Sequence, residues 1–255
     1  MTRDLITVCL PPTDPGEVPA ALAAAMAPFC YDAQPLPDGT DQGEWDWWHI
    51  FGGDGEDGLA VRAGYEQDPR LVRNPSWSDG GSRPPQPPGR CDGGPRGLLD
   101  LDADRAPVAS RAGIDWDAWT DFSARFEPAM SQRAMAESVP AGPDAGRRAY
   151  AAFHDQPLIR AVAVRRASDP QAPWWTWVQD PVAHFADGRE QYVRRVAARV
   201  VPTNVLLTLD GEWLDGTLNA LDPAALVGPA YFDYADRYLE SLAEDALMVR
   251  LRFHS

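Results

Sequence analysis

His49 has the clearest potential for acid–base chemistry, because an imidazole ring titrates near neutral pH. It lies in the apolar segment of residues 45–51, here called the Trp strand, and follows Asp46 by three positions. Since successive side chains of a strand point to opposite faces, Asp46 and His49 cannot pair directly. Two interpretations stay open. His49 is a buried residue bonded to a backbone carbonyl, or it is a general base in a crevice that Asp46 or Asp180 completes from the other side.

The acidic, glycine-rich segment of residues 52–58 is a second candidate for chemistry. Its acids would repel phosphate, and it lacks the spacing of a calcium loop. A solvated turn is the simpler interpretation, and a weak cation site through Asp54, Glu56 and Asp57 is the alternative. The other three histidines form no metal-binding pattern, and the three separated cysteines form no zinc motif. We therefore expect no metal and no cofactor.

Tryptophan offers a third kind of chemistry, since an indole ring can stack on a sugar or a base. Trp48, Trp174, Trp175 and Trp177 are the candidates for lining a ligand pocket. Tryptophans at strand or helix spacing also fill protein cores, so a purely structural role is the alternative. No G-x-S-x-G motif supports a serine nucleophile.

The two ends of the chain contain the elements that must position these residues. An apolar run at residues 5–10 predicts a strand, and helical spacing at 18–26 predicts a helix before the Trp strand. Towards the C-terminus, the patterns predict a helix over 189–201, a strand over 205–209 that turns back through Asp210-Gly211, a helix over 231–242, and a strand over 247–253.

The last predicted strand alternates between apolar and polar residues. Met248, Arg250 and Arg252 are expected to face solvent, and the residues between them to face the core. The middle of the chain differs, because residues 79–89 are rich in proline and glycine and predict a loop. Helices are expected over 115–126 and over 147–166, the second broken near Pro157.

The predicted order of elements is β-α-β, a long middle and β-α-β, which is typical of a ferredoxin-like, split βαβ sheet in the α+β class. In that arrangement the strands stand in the order fourth, first, third, second, with both helices on one face. The Trp strand carries tryptophan on both of its faces and so requires cover on both. We expect residues 1–58 and 188–255 to form this core, and 59–187 to form a partly helical insertion that covers the second face.

The composition excludes several classes of function. The net charge of −15 argues against nonspecific binding to a phosphate backbone, although mimicry of nucleic-acid charge stays open. The chain contains no lysine, which excludes a Schiff-base or phosphate-loop lysine. Because no signal-peptide pattern and no apolar run of about 18–20 residues occurs, we expect a soluble, cytoplasmic protein without membrane contact.

Four short segments resemble an uncharacterised protein family of actinobacteria and their phages. They are the opening strand at 5–11, the Trp strand with its double glycine at 45–53, the Asp-Gly-x-Trp hairpin at 205–213, and the final strand ending in histidine at 248–254. The chain departs from the family where Asp54-Gly55 replaces the usual Arg-Trp, and where Cys91 replaces paired cysteines. The resemblance implies a source and an organisation, and no activity.

Three functions compete at this point. The leading hypothesis is a non-enzymatic binding or interaction protein of phage or mobile-element type, whose partner is another protein met through the insertion. The second is an enzyme with its site around His49, in the crevice between sheet and insertion. The third is an acidic mimic of nucleic acid.

Overall fold

The computed structural model describes residues 3–33, 43–51, 58–74, 87–217 and 226–254. The fold is α+β, with a mixed sheet and several helices. The chain groups into two compact units: the sheet unit, Met1–Pro107 with Ala198–Ser255, and the helical unit, Val108–Ala197. Residues 59–107 thus group with the sheet, whereas the sequence places them in the insertion.

The strands of the described residues follow in chain order. They are β1 (Arg3–Leu10), β2 (Trp47–Ile50), β3 (Leu59–Ala60), β4 (Arg90–Cys91), β5 (Gly93–Pro95), β6 (Val205–Leu207), β7 (Trp213–Asp215) and β8 (Leu247–His254). The main sheet has the order β2-β8-β1-β6-β7, and β5 also pairs with β8. β1 and β6 run parallel and the other pairs run antiparallel. β3 and β4 form a separate two-stranded sheet.

The sheet order differs from the ferredoxin-like order at the Trp strand. That strand, β2, pairs with β8 at one edge, and does not lie beside β6. The predicted Asp210-Gly211 turn is present, and Gly211 adopts a φ of 80°, a left-handed conformation that suits glycine. The Thr208 N–H donates to the Glu212 carbonyl, so the loop between them spans three residues. The returning strand β7 takes the edge of β6, which leaves β2 the free edge of β8.

The helices of the described residues are likewise given in chain order. They are α1 (Val18–Met26), α2 (Leu101–Ser123), α3 (Gln132–Ser138), α4 (Ala145–Asp155), α5 (Pro157–Ser168), α6 (Pro181–His184), α7 (Gly188–Ala197) and α8 (Gly228–Ser241). No helix in these described ranges is long and apolar enough to cross a membrane.

α1 and α8 cover opposite faces of the sheet, whereas the predicted fold places both helices on one face. Ile6 and Val8 of β1 join the apolar cluster that includes α1. Cys9 points to the other face, because it follows Val8 in the strand. It joins the cluster that includes α8 and the segment around Leu59 and Leu99. Residues of the sheet unit itself therefore cover both faces.

β8 is buried along most of both faces, which corrects the prediction that Met248 and Arg250 face solvent, whereas Arg252 is partly exposed. Met248 is 0% exposed because it packs in the cluster under α8. Arg250 is 8% exposed, and its Nη2 donates to the carbonyls of Val200 at 3.3 Å and Val201 at 2.8 Å. The aliphatic stem of an arginine can be buried when its charged end finds such acceptors.

The helical unit contains the predicted break near Pro157. α4 ends at Asp155 and α5 begins at Pro157, a residue suited to the first turn of a helix. The side chain of Gln156 fixes this corner by accepting from the Met130 N–H at 2.6 Å and donating to the Met130 carbonyl at 2.9 Å. A 3-10 turn, Trp174–Trp177, packs against α5.

Candidate functional site

Asp46 meets His254, and not His49. Oδ1 of Asp46 lies 2.7 Å from Nδ1 of His254. The ring of Trp47 stacks on His49 at 5.4 Å and on His254 at 5.8 Å between centroids. The predicted general base thus lies in a row of stacked rings at the edge of the sheet. Asp46 immediately precedes β2, so its carboxylate links the start of β2 to the last residue of β8.

Asp180, the other carboxylate considered as a partner for His49, holds the starts of two helices. Its Oδ1 accepts from the Ala183 N–H at 3.0 Å, which caps α6. Its Oδ2 accepts from the Gln132 N–H at 2.7 Å, at the start of α3. Helix starts leave backbone N–H groups without partners, so a carboxylate that serves two of them has a structural role.

Replacing Asp180 with alanine is expected to reduce the free energy of unfolding by about 1–2 kcal/mol, because two N–H groups lose their acceptor. Chemical denaturation followed by circular dichroism measures the loss. Asp144→Ala is the matched control, since Asp144 occupies the N-cap position of α4 without a side-chain capping bond. Equal stability of the two variants would contradict the capping role.

The four candidate tryptophans have different environments. Trp175 is 1% exposed and packs at the centre of the helical unit. Trp48 is half-buried beside the α1 cluster of the sheet unit. Trp174 is partly exposed, and Trp177 is 68% exposed. Trp177 alone of the four lines a surface groove between α4, α5 and the 3-10 turn.

Trp174 belongs to a bonded cluster around a buried carboxylate. Its Nε1 donates to Oδ2 of Asp115 at 2.7 Å, and Arg111 forms an ion pair with Asp115 at 3.2 Å. Burial, followed by the charge of Asp115, raises the pKa of Tyr192 to about 12. Asp115 thus accepts from Trp174, pairs with Arg111 and acts electrostatically on Tyr192.

The predicted cation site falls outside the described residues, since Asp54, Glu56 and Asp57 all lie beyond those ranges. Within the described ranges, no three side chains of His, Cys, Asp or Glu come close enough to share a metal ion.

The helical unit contains a groove between α4, α5 and the 3-10 turn, with a volume of about 270 Å³. Its floor is buried and includes Ile159, Val162 and Thr176. Exposed side chains form its rim: Tyr150, His154, Arg166 and Trp177. The lining residues of α4 and of α5 recur at spacings of three or four, and residues at these spacings share one face of a helix.

The rim of the groove combines aromatic rings with a cation. The rings of Tyr150 and His154 lie 4.3 Å apart between centroids. The guanidinium carbon of Arg166 lies 5.3 Å from the centre of the Trp177 ring. This separation is within the range of a cation–π interaction. Among the residues that line the groove, none is an Asp or a Glu.

A larger cavity of about 450 Å³ lies in the sheet unit, and three of its five charged lining residues form ion pairs. Arg96 and Glu240 on its wall form an ion pair, and Glu240 also pairs with Arg105. Burial raises the pKa of the adjacent Asp236, although its ion pair with Arg105 at 2.7 Å opposes the rise. This cavity offers little apolar surface, so the groove of the helical unit is the better candidate for a binding site.

The two units differ in charge. The helical unit contains 11 arginines and 11 acidic residues and is neutral, so the whole net charge of −15 belongs to the residues of the sheet unit. The helical unit is as rich in charged residues as the whole chain, so its neutrality reflects a balance of signs.

No family model, no curated protein and no solved structure matches this chain. The groove therefore has to be interpreted from its own residues. The sequence identified Trp177 as a candidate and missed Tyr150, His154 and Arg166. The one available signal was the i, i+4 spacing of Tyr150 and His154 in α4, which places both on one face of the helix.

Proposed function

We propose that the protein is a non-enzymatic binding protein, and that it recognises another protein through the groove of its helical unit. The observation that carries this proposal is the pair of aromatic rim residues, Tyr150 at 60% and Trp177 at 68% exposure, around a buried apolar floor. Tryptophan and tyrosine dominate the binding energy of protein interfaces, where they enclose apolar contacts.

The size of the groove favours a protein partner over a small molecule. Clefts that enclose drug-sized ligands have volumes of about 300–1,000 Å³ and bury most of the ligand. A groove of about 270 Å³ is open to solvent and suits one or two side chains of a partner. The resemblance to a family of actinobacteria and their phages supports a phage or mobile-element setting for this interaction.

Trp177→Ser is expected to weaken partner binding at least tenfold. The variant should stay folded, because the ring is exposed and supplies one wall of the groove. The measurement is quantitative affinity purification from cells that naturally contain the protein, repeated with the purified partner. Tyr65→Ser is the control, since Tyr65 is a similarly exposed aromatic residue of the sheet unit. A partner that the wild type, Trp177→Ser and Tyr65→Ser all retain equally would argue against the proposal, as would a wild type that retains no partner.

A further inference from the structure

Resting on that proposed function, we infer that the groove binds a short peptide segment in which an apolar side chain lies next to a carboxylate. Charge complementarity at the rim and the apolar character of the floor both favour such a ligand. Both are properties of described residues in the helical unit.

Arg166 supplies the charge. Among the described residues its guanidinium meets the face of Trp177 and forms no ion pair. The contact with the indole places the guanidinium at the rim, and a guanidinium carries five N–H donors that a carboxylate can accept from. A guanidinium binds a carboxylate through two parallel hydrogen bonds, which fixes the direction of the bound chain.

The acidic residues that flank the groove are engaged elsewhere. Asp155, at the end of α4, forms an ion pair with Arg160 at 2.6 Å. Asp169, after α5, accepts from the Gln171 N–H at 2.8 Å. Asp180 caps α6 and α3 as described above. No carboxylate of the protein therefore competes for Arg166 within the described residues.

The floor supplies the apolar contact. Ile159 and Val162 are each 5% exposed and present aliphatic surface at the base of the groove, with Ala163 beside them. A leucine, methionine or phenylalanine side chain inserted there would be stabilised by the removal of its apolar surface from water. Together with Arg166 at the rim, this surface favours an apolar side chain with an acid adjacent to it in the same segment.

Recognition of the acid must act at contact distance. The protein as a whole has a net charge of −15, and long-range attraction of an acidic segment is therefore not expected. The helical unit is neutral and does not add to the repulsion. Selectivity for the acid consequently depends on Arg166 itself.

Peptide display tests the inference. A library of random peptides is selected on the full-length protein and counter-selected on Trp177→Ser, so that the surviving peptides require the groove. We expect the survivors to carry Asp or Glu within two positions of Leu, Met, Phe or Trp. For a synthetic survivor, Arg166→Gln should raise the Kd about tenfold, as expected for one lost charge-assisted contact.

Two further comparisons assign that effect to the contact. Arg194→Gln removes an exposed arginine of the same unit that is paired with Glu190 in α7 and does not line the groove, and it should leave the Kd unchanged. Changing the peptide's acid to Asn should weaken binding to the wild type and have little further effect on Arg166→Gln, which is the signature of a direct pair.

The possible outcomes separate the two proposals. Survivors without acids, or survivors that bind Arg166→Gln as tightly as the wild type, would overturn the inference and leave the groove as a binding site. A selection that yields no Trp177-dependent peptide would count against the proposed function itself, and against the inference with it.

Discussion

Trp175→Ala is expected to reduce the free energy of unfolding of the helical unit by about 3–5 kcal/mol. The side chain is 1% exposed, and its ring lies 5.5 Å from Trp119 and 5.2 Å from Phe122 between centroids. Removing it leaves a cavity at the centre of a small core, and the surrounding rings can close this cavity only in part. Urea unfolding followed by far-ultraviolet circular dichroism measures the loss.

The same 3-10 turn provides the control for that variant. Trp177 lies two positions further along and is 68% exposed. Trp177→Ala should therefore change the free energy of unfolding by at most about 0.5 kcal/mol, as is usual for surface substitutions. The two variants should thus separate stability from binding, with Trp175→Ala affecting the fold and Trp177→Ala affecting the groove. Equal losses of stability in the two variants would contradict the assignment of Trp175 to the core and of Trp177 to the groove.

Gly93→Ala is expected to destabilise the sheet unit by about 3 kcal/mol, the upper end of the usual cost of overpacking. A Cβ atom at Gly93 would lie 2.3 Å from the carbonyl oxygen of Met248 and 2.7 Å from the Cα of Val249. Both atoms belong to the backbone of β8, so no side-chain rotation can relieve the clash. β5 must then move away from β8, which disrupts their pairing.

Gly89→Ala is the matched control for Gly93→Ala. Among the described residues other than its chain neighbours, no atom lies within 4 Å of a Cβ built at Gly89, which is close in sequence and exposed. Thermal unfolding should show a lowered Tm for Gly93→Ala and an unchanged Tm for Gly89→Ala. Hydrogen exchange should also rise at the amides that join β5 to β8, and intact protection there would contradict the close packing of the two strands.

Local patterns in the sequence were sufficient to predict many elements. Alternation and turn chemistry predicted the first strand, the last strand and the hairpin through Asp210-Gly211. Helical spacing predicted α8, and the proline at 157 predicted the break between α4 and α5. Each of these features depends on residues within a few positions of one another, and so can be seen in a single sequence.

The pairing of the strands could not be predicted in the same way. The residue pattern of β2 does not distinguish pairing with β6 from pairing with β8. The observed pairing with β8 depends on β7, which occupies the edge of β6. The outward position of Arg250 was also predicted wrongly, because the carbonyls of residues 200 and 201 that accept from it are distant in sequence.

The groove was only partly predictable for a related reason. Trp175 and Trp177 are both tryptophans of one short turn, and nothing local distinguishes the buried ring from the exposed one. The partners that make Trp177 a wall of the groove come from two other helices, and tertiary packing brings them together. Arg166 resembles any solvated arginine until its ring partner is known.

The position of β8 has a consequence for biosynthesis. β8 lies between β1 and β2, and it pairs with β1 along the whole length of that strand. β8 follows β1 by about 240 residues, so at ~5–20 residues per second a nascent β1 waits on the order of ten to fifty seconds for this partner. The helical unit is contiguous in sequence and can fold on the ribosome in the meantime. The edge of β1 that later pairs with β8 is exposed throughout that interval, and an apolar strand edge of this kind is prone to non-native pairing.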